Sequence, residues 1–212
     1  MKKESKIPEA SIERIALYAR PLEKLLESRS FVISSEKLAQ LCKVNPAQVR
    51  KDLSYFGEFG VRGIGYDVTD LLHAITKILG SDREWRLALL GVGNMGQALI
   101  RHAEFLKRGY RFVAAFDHSN EKVGKTLAPT SLVIQPMSML GPLTVSLEIE
   151  VGLIATPPSK AQNTADRLVE AGVKAILNFS PIQLRQPANI LVENVDFTVS
   201  LDNLAYFLKE RL

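Results

Sequence analysis

The chain has 212 residues, 46% of them hydrophobic and 24% charged; these are ordinary globular proportions, with room for a small domain joined to a medium one. No apolar run approaches the ~20 residues that span a bilayer. The charged start Met1-Lys2-Lys3-Glu4-Ser5-Lys6 opens no secretory signal, and the lone Cys42 permits no intrachain disulfide, so a cytoplasmic location and no membrane are expected. The net charge of +4 is concentrated at one end: residues 1–66 hold 12 Lys+Arg against 8 Asp+Glu, and residues 67–212 hold 15 against 15. A basic module on a neutral one directs an anionic partner, nucleic acid first, to the N-terminal third.

In chain order, Pro8 to about Ser28 reads as a helix, with Ile12, Ile15, Ala19, Leu22 and Leu25/Leu26 at helical spacing and Pro21 as a kink. Phe31-Val32-Ile33 is a strand fragment. Ser34 caps a helix through Leu41 with Leu38 and Leu41 inward, and Cys42 acts as a small hydrophobe on its apolar side. Asn45-Pro46 is an N-cap with proline at the first helical position, opening a helix to about Phe56. Four glycines among the ten residues from Gly57 to Tyr66 describe a tight hairpin. Thr69 to Leu79 is an amphipathic helix closed by Gly80, and residues 80–83 are the expected domain boundary.

From Arg86 the pattern alternates: strands at Leu87–Gly91, Phe112–Phe116, Leu132–Ile134, Val151–Ala155, Lys174–Asn178 and Ile190–Val192, and helices at Met95–Lys107 and Lys160–Ala171. Continuous apolar strands of this kind belong to a parallel sheet covered on both faces. At the end of the chain, Leu201, Leu204, Ala205 and Leu208 form an apolar stripe beside Phe207, which packs either on a partner or on its own domain.

The first strand runs straight into Gly91-Val92-Gly93-Asn94-Met95-Gly96 and then a helix, and the second strand ends in Asp117. That context, rather than the glycines alone, marks a dinucleotide site of Rossmann type. Gly91 serves the turn, Gly93 the approach of the pyrophosphate, Gly96 the helix–strand contact, and the phosphates face the helix N-terminus. Asp117 would accept ribose hydroxyls, and with no arginine in His118-Ser119-Asn120 the pattern favours NAD(H) over NADP(H). Coenzyme A, another nucleotide, or a bare glycine turn are the alternatives. No Tyr-x-x-x-Lys pair and no second catalytic domain follow, so binding without turnover is expected, with no catalytic residue and no metal site. A small NAD-dependent oxidoreductase is the rival, and a nucleotide-binding interaction protein a third reading.

The helices at 34–41 and 45–56 have helix-turn-helix proportions. Val49, Leu53 and Phe56 share one stripe, leaving Gln48, Arg50, Lys51, Ser54 and Tyr55 largely outward, residue types that read bases and hold phosphates. A solvated polar helix face would explain these alone; the hairpin that follows, with Arg62-Gly63 at its tip, makes a wing suited to the minor groove. The run from Pro46 to Tyr66 closely resembles the recognition helix and wing of the Rex redox-sensing repressors, and Gly91–Gly96, Ile176–Pro181 and Val192–Phe197 match the same family in the same order.

The resemblance implies a winged-helix DNA-binding domain over residues 1–80, a Rossmann NAD(H)-binding domain over 84–199, and a C-terminal helix over 200–212 exchanged in a homodimer. It implies repression from a palindromic operator that is released when NADH rather than NAD⁺ is bound, at genes of fermentation and respiration. Lys122, Thr156, Phe179 and Phe197 join Asp117 and the glycine loop as its cofactor residues, both aromatics lying toward the nicotinamide. His102 stands where members commonly carry a tyrosine that couples cofactor state to an aspartate matching Asp196, which alternatively pairs with an arginine matching Arg20. A histidine there brings possible pH dependence to that switch.

Overall fold

A computed structural model describes residues 7–61, 63–185 and 187–211. The chain divides into two compact units, the first ending at Arg83 and the second beginning at Glu84. In the first unit, α1 (Glu9–Glu27) contains Pro21 and is followed by β1 (Val32–Ile33), α2 (Ser35–Cys42) and α3 (Pro46–Ser54). A hairpin of β2 (Gly60–Val61) and β3 (Gly65–Asp67) leads into α4 (Val68–Ile78). The three strands form an antiparallel sheet in the order β1-β3-β2, with Val61 opposite Gly65 across the hairpin. Glycine is required at residue 65: its φ is +107°, and a Cβ there would lie 2.5 Å from the Ile33 carbonyl oxygen.

Side-chain caps start α2 and α3 where the sequence places them, and a third, at Asp67, starts α4 one residue before the expected Thr69. The Ser34 hydroxyl accepts from the Lys37 amide at 3.2 Å, the Asn45 side-chain oxygen from Ala47 at 2.8 Å, and the Asp67 carboxylate from Asp70 at 2.9 Å. The core is Ile15, Tyr18, Leu22, Leu38, Val49, Leu53, Val68, Leu71 and Ile75, all buried. Two expected inward residues, Ile12 and Leu41, are instead 44% and 45% exposed. On α1 the buried face is turned toward Ser11 and Tyr18, because it must reach a charged group that the hydrophobic pattern does not reveal.

That group is Asp52, on α3 and 0% exposed. Arg14 holds it with two bonds, Nε to Oδ2 at 2.7 Å and Nη2 to Oδ1 at 2.8 Å, while the Tyr18 hydroxyl donates to Oδ2 at 2.7 Å and the Gln48 amide to Oδ1 at 2.7 Å. A forked guanidinium on a carboxylate fixes direction as well as distance, so α3 is oriented against α1.

The second unit opens with β4 (Trp85–Leu90), α5 (Asn94–Ile100), α6 (Glu104–Lys107), β5 (Tyr110–Asp117) and β6 (Ile134–Pro136). A 3-10 turn at Met137–Met139 enters α7 (Leu140–Ser146), followed by β7 (Val151–Ile154), α8 (Pro158–Glu170), β8 (Ala175–Asn178), β9 (Leu191–Asn194) and α9 (Phe197–Lys209). The six strands pair in parallel, in the order β6-β5-β4-β7-β8-β9. This is the doubly wound dinucleotide-binding order, whose strand sequence reverses between β4 and β7 and opens a crevice beyond their carboxyl ends. Its strands are covered by two separate clusters, one around Phe116, Ile154 and Leu168 and the other around Leu89, Ile100 and Leu153.

The single helix expected at Met95–Lys107 is two short ones, interrupted at Arg101–Ala103 with neither glycine nor proline to mark the break. His102 therefore sits between the two short helices rather than inside one. Helix α7, which sequence periodicity did not indicate, spans only seven residues. No helix among the described residues is long and apolar enough to cross a membrane.

The buried carboxylate makes the first unit sensitive to acid. Burial would raise the Asp52 carboxyl, but Arg14, Tyr18 and Gln48 together outweigh it and lower it from 3.8 to about 2. Because the folded-state value is the lower one, its stabilisation is complete above about pH 4 and is lost as the pH falls toward 2. Asp52→Ala should cost about 3 kcal/mol, the low end for a buried pair because Arg14 keeps contact with water. Urea unfolding by circular dichroism, with hydrogen exchange over residues 46–54, checks this; a loss below about 1 kcal/mol would discount the anchor.

Candidate cofactor site and nucleic-acid interface

At the carboxyl end of β4 the chain turns through Gly91, whose φ is +97°. A Cβ there would lie 2.7 Å from the Ala155 carbonyl oxygen and 3.0 Å from Thr156 Cγ2, so the end of β7 presses directly on this turn. A Cβ on Gly96 would fall on the Gly91 carbonyl oxygen, which makes the first turn of α5 fit only against a bare α-carbon. Gly93 differs: its φ is −86°, and nothing lies within 4 Å of a Cβ placed on it. Nothing in the protein itself fills the space beside Gly93, so the loop faces open room in front of α5. Val92 is buried, Asn94 begins α5, and Met95 is 40% exposed at the same rim.

Asp117 ends β5, 9% exposed, with one oxygen turned to the loop. Its Oδ2 accepts from the Val92 amide at 2.8 Å and from Lys122 Nζ at 3.1 Å, and its Oδ1 accepts from the Ser119 amide at 2.8 Å. Burial pushes this carboxyl up, but the Ser119 and Val92 amides and Lys122 prevail and hold it below the usual carboxylate range. Two ionised oxygens offer about four acceptor positions, so room remains for a hydroxyl.

On the other side of the reversal point, Thr156 follows β7 and Ser180 follows β8, 8% and 4% exposed. Among the described residues neither Thr156 Oγ1 nor Ser180 Oγ has a hydrogen-bond partner, although both are buried. Such orphans are costly and rare, and here they stand at the carboxyl ends of adjacent strands. A ligand with hydroxyl or amide groups would satisfy them. The residues therefore fit a dinucleotide: an open glycine loop at a helix N-terminus, a carboxylate at the second strand and two unsatisfied hydroxyls beyond the fourth and fifth.

Ser180 escaped the sequence reading because its signal is its missing partner, which only coordinates reveal. Asn178, 0% exposed, knots the same loop, its amide donating to the Ser180 and Ile182 carbonyls at 3.0 and 2.9 Å and to Asn194 Oδ1 at 2.8 Å. That knot places Phe179, half-buried against the cluster around Leu89 and Leu153. Phe197 is not brought to it within this chain, being 54% exposed on the first turn of α9.

Helix α9 buries none of its residues. Phe197, Val199, Leu201, Leu204, Tyr206, Phe207 and Leu208 are between 54% and 62% exposed, so the stripe does not pack on its own domain. Asp196 caps this helix, accepting from the Thr198 hydroxyl at 2.6 Å and its amide at 2.9 Å, and these bonds lower its carboxyl. His102 packs edge-to-face on Phe105, centroids 5.8 Å apart, at the rim of a cleft of about 870 Å³ lined also by Arg86, Arg101 and Arg111. Arg20 is exposed on α1 of the first unit.

On α3, Arg50, Lys51 and Ser54 are exposed and Tyr55 half-buried at its C-cap. Gln48 departs from the expected outward set: one of its amide donors is committed to Asp52, an inward role that a polar residue beside outward neighbours does not announce. Arg50 is held across the angle between the two helices, Nη1 donating to Ser35 Oγ at 2.7 Å and approaching Glu36 at 3.3 Å. Gly63 occupies the hairpin tip with φ +84° and open space around it; Arg62 lies outside the described residues. No metal-binding group of His, Cys, Asp and Glu occurs among the described residues.

Residues 6–54 match the family profile described as "Putative DNA-binding protein N-terminus", and residues 82–182 match the CoA binding domain profile. A redox-sensing transcriptional repressor Rex of Syntrophobacter fumaroxidans is 54% identical over 204 residues, covering 96% of this chain and 97% of the relative. Another of that name, from Solidesulfovibrio magneticus, is 49% identical over 195 residues, covering 92% and 88%. Among solved structures, RSP in complex with β-NAD⁺ and operator DNA aligns with TM-score 0.92 at 36% identity, over 98% of this chain and 94% of that one. The complex of RSP with β-NADH aligns with TM-score 0.88 at 35% identity, over 98% and 96%.

The glycine loop yields paired expectations. Gly91→Ala should lower stability by about 1–3 kcal/mol, through overpacking on Ala155 and a strained φ. Gly93→Ala should leave the melting temperature unchanged and weaken NADH binding at least tenfold, since its Cβ would enter the space a pyrophosphate needs. Thermal unfolding and nicotinamide fluorescence measure the two effects. A Gly93→Ala chain binding NADH like the wild type would detach the loop from the cofactor.

Proposed function

The chain belongs to the Rex family of redox-sensing transcriptional repressors, and from that premise we propose how its own residues divide the work of reading NADH and holding an operator. It is a DNA-binding repressor regulated by NAD(H), not a catalyst. The observation that carries the reading is the pairing of an oriented helix-turn-helix and hairpin with a glycine loop whose central Gly93 faces open space in front of α5. The Rossmann unit uses Gly91–Gly96 for the pyrophosphate and Asp117 for the adenosine ribose. Thr156, Ser180 and Phe179 lie toward the nicotinamide half. The RSP complexes with β-NAD⁺ and β-NADH support a nicotinamide dinucleotide in this site rather than coenzyme A, despite the name of the matched profile.

Oxidised and reduced cofactor differ only at the nicotinamide ring, cationic in one and neutral in the other. Desolvating the cation costs far more, so an apolar enclosure selects NADH. A tenfold preference requires only about 1.4 kcal/mol. Phe179 supplies one apolar wall and Phe197, left exposed on α9, supplies another once that helix is covered. The cover is a second copy of the chain: seven apolar or aromatic residues more than half exposed on one helix are an interface. In the cytoplasmic homodimer two α3 helices and two wings face successive grooves of a palindromic operator, and NADH changes their spacing. Arg20, His102 and Asp196 are the switch residues, with Asp196 poised at the cap of α9.

Lys51, Arg50, Ser54 and Tyr55 face the major groove and Arg62 and Gly63 the minor groove, while Gln48 acts chiefly through Asp52. Titrating a palindromic operator in a gel shift should show binding that weakens with NADH and persists with NAD⁺. Operator binding indifferent to NADH would reject the sensor, and NADH oxidation with a substrate but no DNA affinity would make the chain an oxidoreductase. Lys51→Ala should cost about 1–3 kcal/mol in operator affinity with NADH binding intact. Phe197→Gln should lower the NADH/NAD⁺ affinity ratio; an unchanged ratio in the folded variant would move discrimination to His102 and Asp196.

A further inference from the structure

The ribose carboxylate is not a bare negative charge. The Ser119 amide on Asp117 Oδ1 at 2.8 Å begins a turn in which the Lys122 amide returns to the Ser119 carbonyl at 3.0 Å. The turn carries the Lys122 ammonium back to Asp117 Oδ2 at 3.1 Å. Among the described residues Asp117 is the only carboxylate that this ammonium meets. The side chains are 11% and 41% exposed, so the carboxylate is the more deeply buried partner and the ammonium the one nearer solvent. Asp117 Oδ2 also carries the Val92 amide at 2.8 Å, so the same pair borders the glycine loop.

We propose that Lys122 is a specificity-determining residue of the cofactor site, setting how strongly a 2′-phosphate on the adenosine ribose is refused. This rests on the reading of Asp117 as the ribose ligand. An unpaired aspartate would repel a phosphate strongly. An aspartate neutralised by a close ammonium repels it far less, and what remains is competition: the phosphate must draw Lys122 away from Asp117. Lys122 is thus a phosphate anchor held in check by Asp117, and the preference for NADH over NADPH belongs to the pair. The two residues then have opposite effects on one ratio. Removing the cation exposes the carboxylate and sharpens refusal of NADPH. Removing the negative charge frees the cation and admits NADPH.

The test is the ratio of NADPH to NADH affinity, measured by nicotinamide fluorescence on the full chain as wild type, Lys122→Ala, Asp117→Asn and the double variant. Lys122→Ala should lower the ratio about tenfold and Asp117→Asn should raise it at least tenfold, while the double variant should lose the gain. A structural role for the pair would loosen the Val92 loop and weaken both cofactors alike, which cancels in the ratio. A ratio unmoved by Lys122→Ala, or an Asp117→Asn gain that survives in the double variant, overturns the assignment to Lys122. If the wild type binds neither cofactor, the reading of the site falls with it; if NADH binds and only the ratio fails to move, this inference alone is lost.

Discussion

The hydrogen bond from the Val92 amide to Asp117 ties the end of one central strand to the end of its neighbour at the mouth of the crevice. Everything about the cofactor loop follows from that tie. With Val92 held, Gly91 has to turn at positive φ beneath Ala155, Gly96 has to lie against Gly91, and α5 must start with its free amides facing outward. The loop is braced by the protein's own contacts, and bracing of this kind lowers the ordering entropy that opposes binding. The carboxylate proposed to recognise the ligand also shapes the loop around it, so substitution at 117 would have two consequences that only a ratio of ligands can separate.

A second buried carboxylate plays the parallel part in the DNA-binding unit. Asp52 lies on the same helix as Lys51 and Ser54 but faces the opposite way, into Arg14 and Tyr18. Hydrophobic contacts through Val49 and Leu53 hold α3 in place but tolerate some rotation about its axis; four directed hydrogen bonds to one carboxylate do not. Base reading depends on angle as much as position, which is a reason to retain a charge where an apolar residue would pack more cheaply.

The sequence was legible where one residue type has one physical use. Caps at Ser34 and Asn45, the glycine turn after β4, and the unbroken apolar strands all carry their meaning locally, and the element order follows from them. What could not be read depended on partners distant in the chain. Asp52 is one charge among several on a polar helix until Arg14, 38 positions earlier, is seen to meet it. Ser180 is ordinary until its hydroxyl is found without a partner. Helix α7 is too short for periodicity to register, and the interruption at His102 leaves no compositional mark. The apolar stripe of α9 was visible, but whether its own domain covers it required coordinates.

The bare surface of α9 also bears on abundance. If α9 finds its cover on a second copy, as proposed, folding and assembly become one equilibrium, and the stability of the chain would depend on how much of it is present. In the proposed dimer the apolar residues from Phe197 to Leu208 would be sequestered at high concentration and presented to water again on dilution. In such a dimer the turnover of the protein would be tied to how slowly the two α9 helices part.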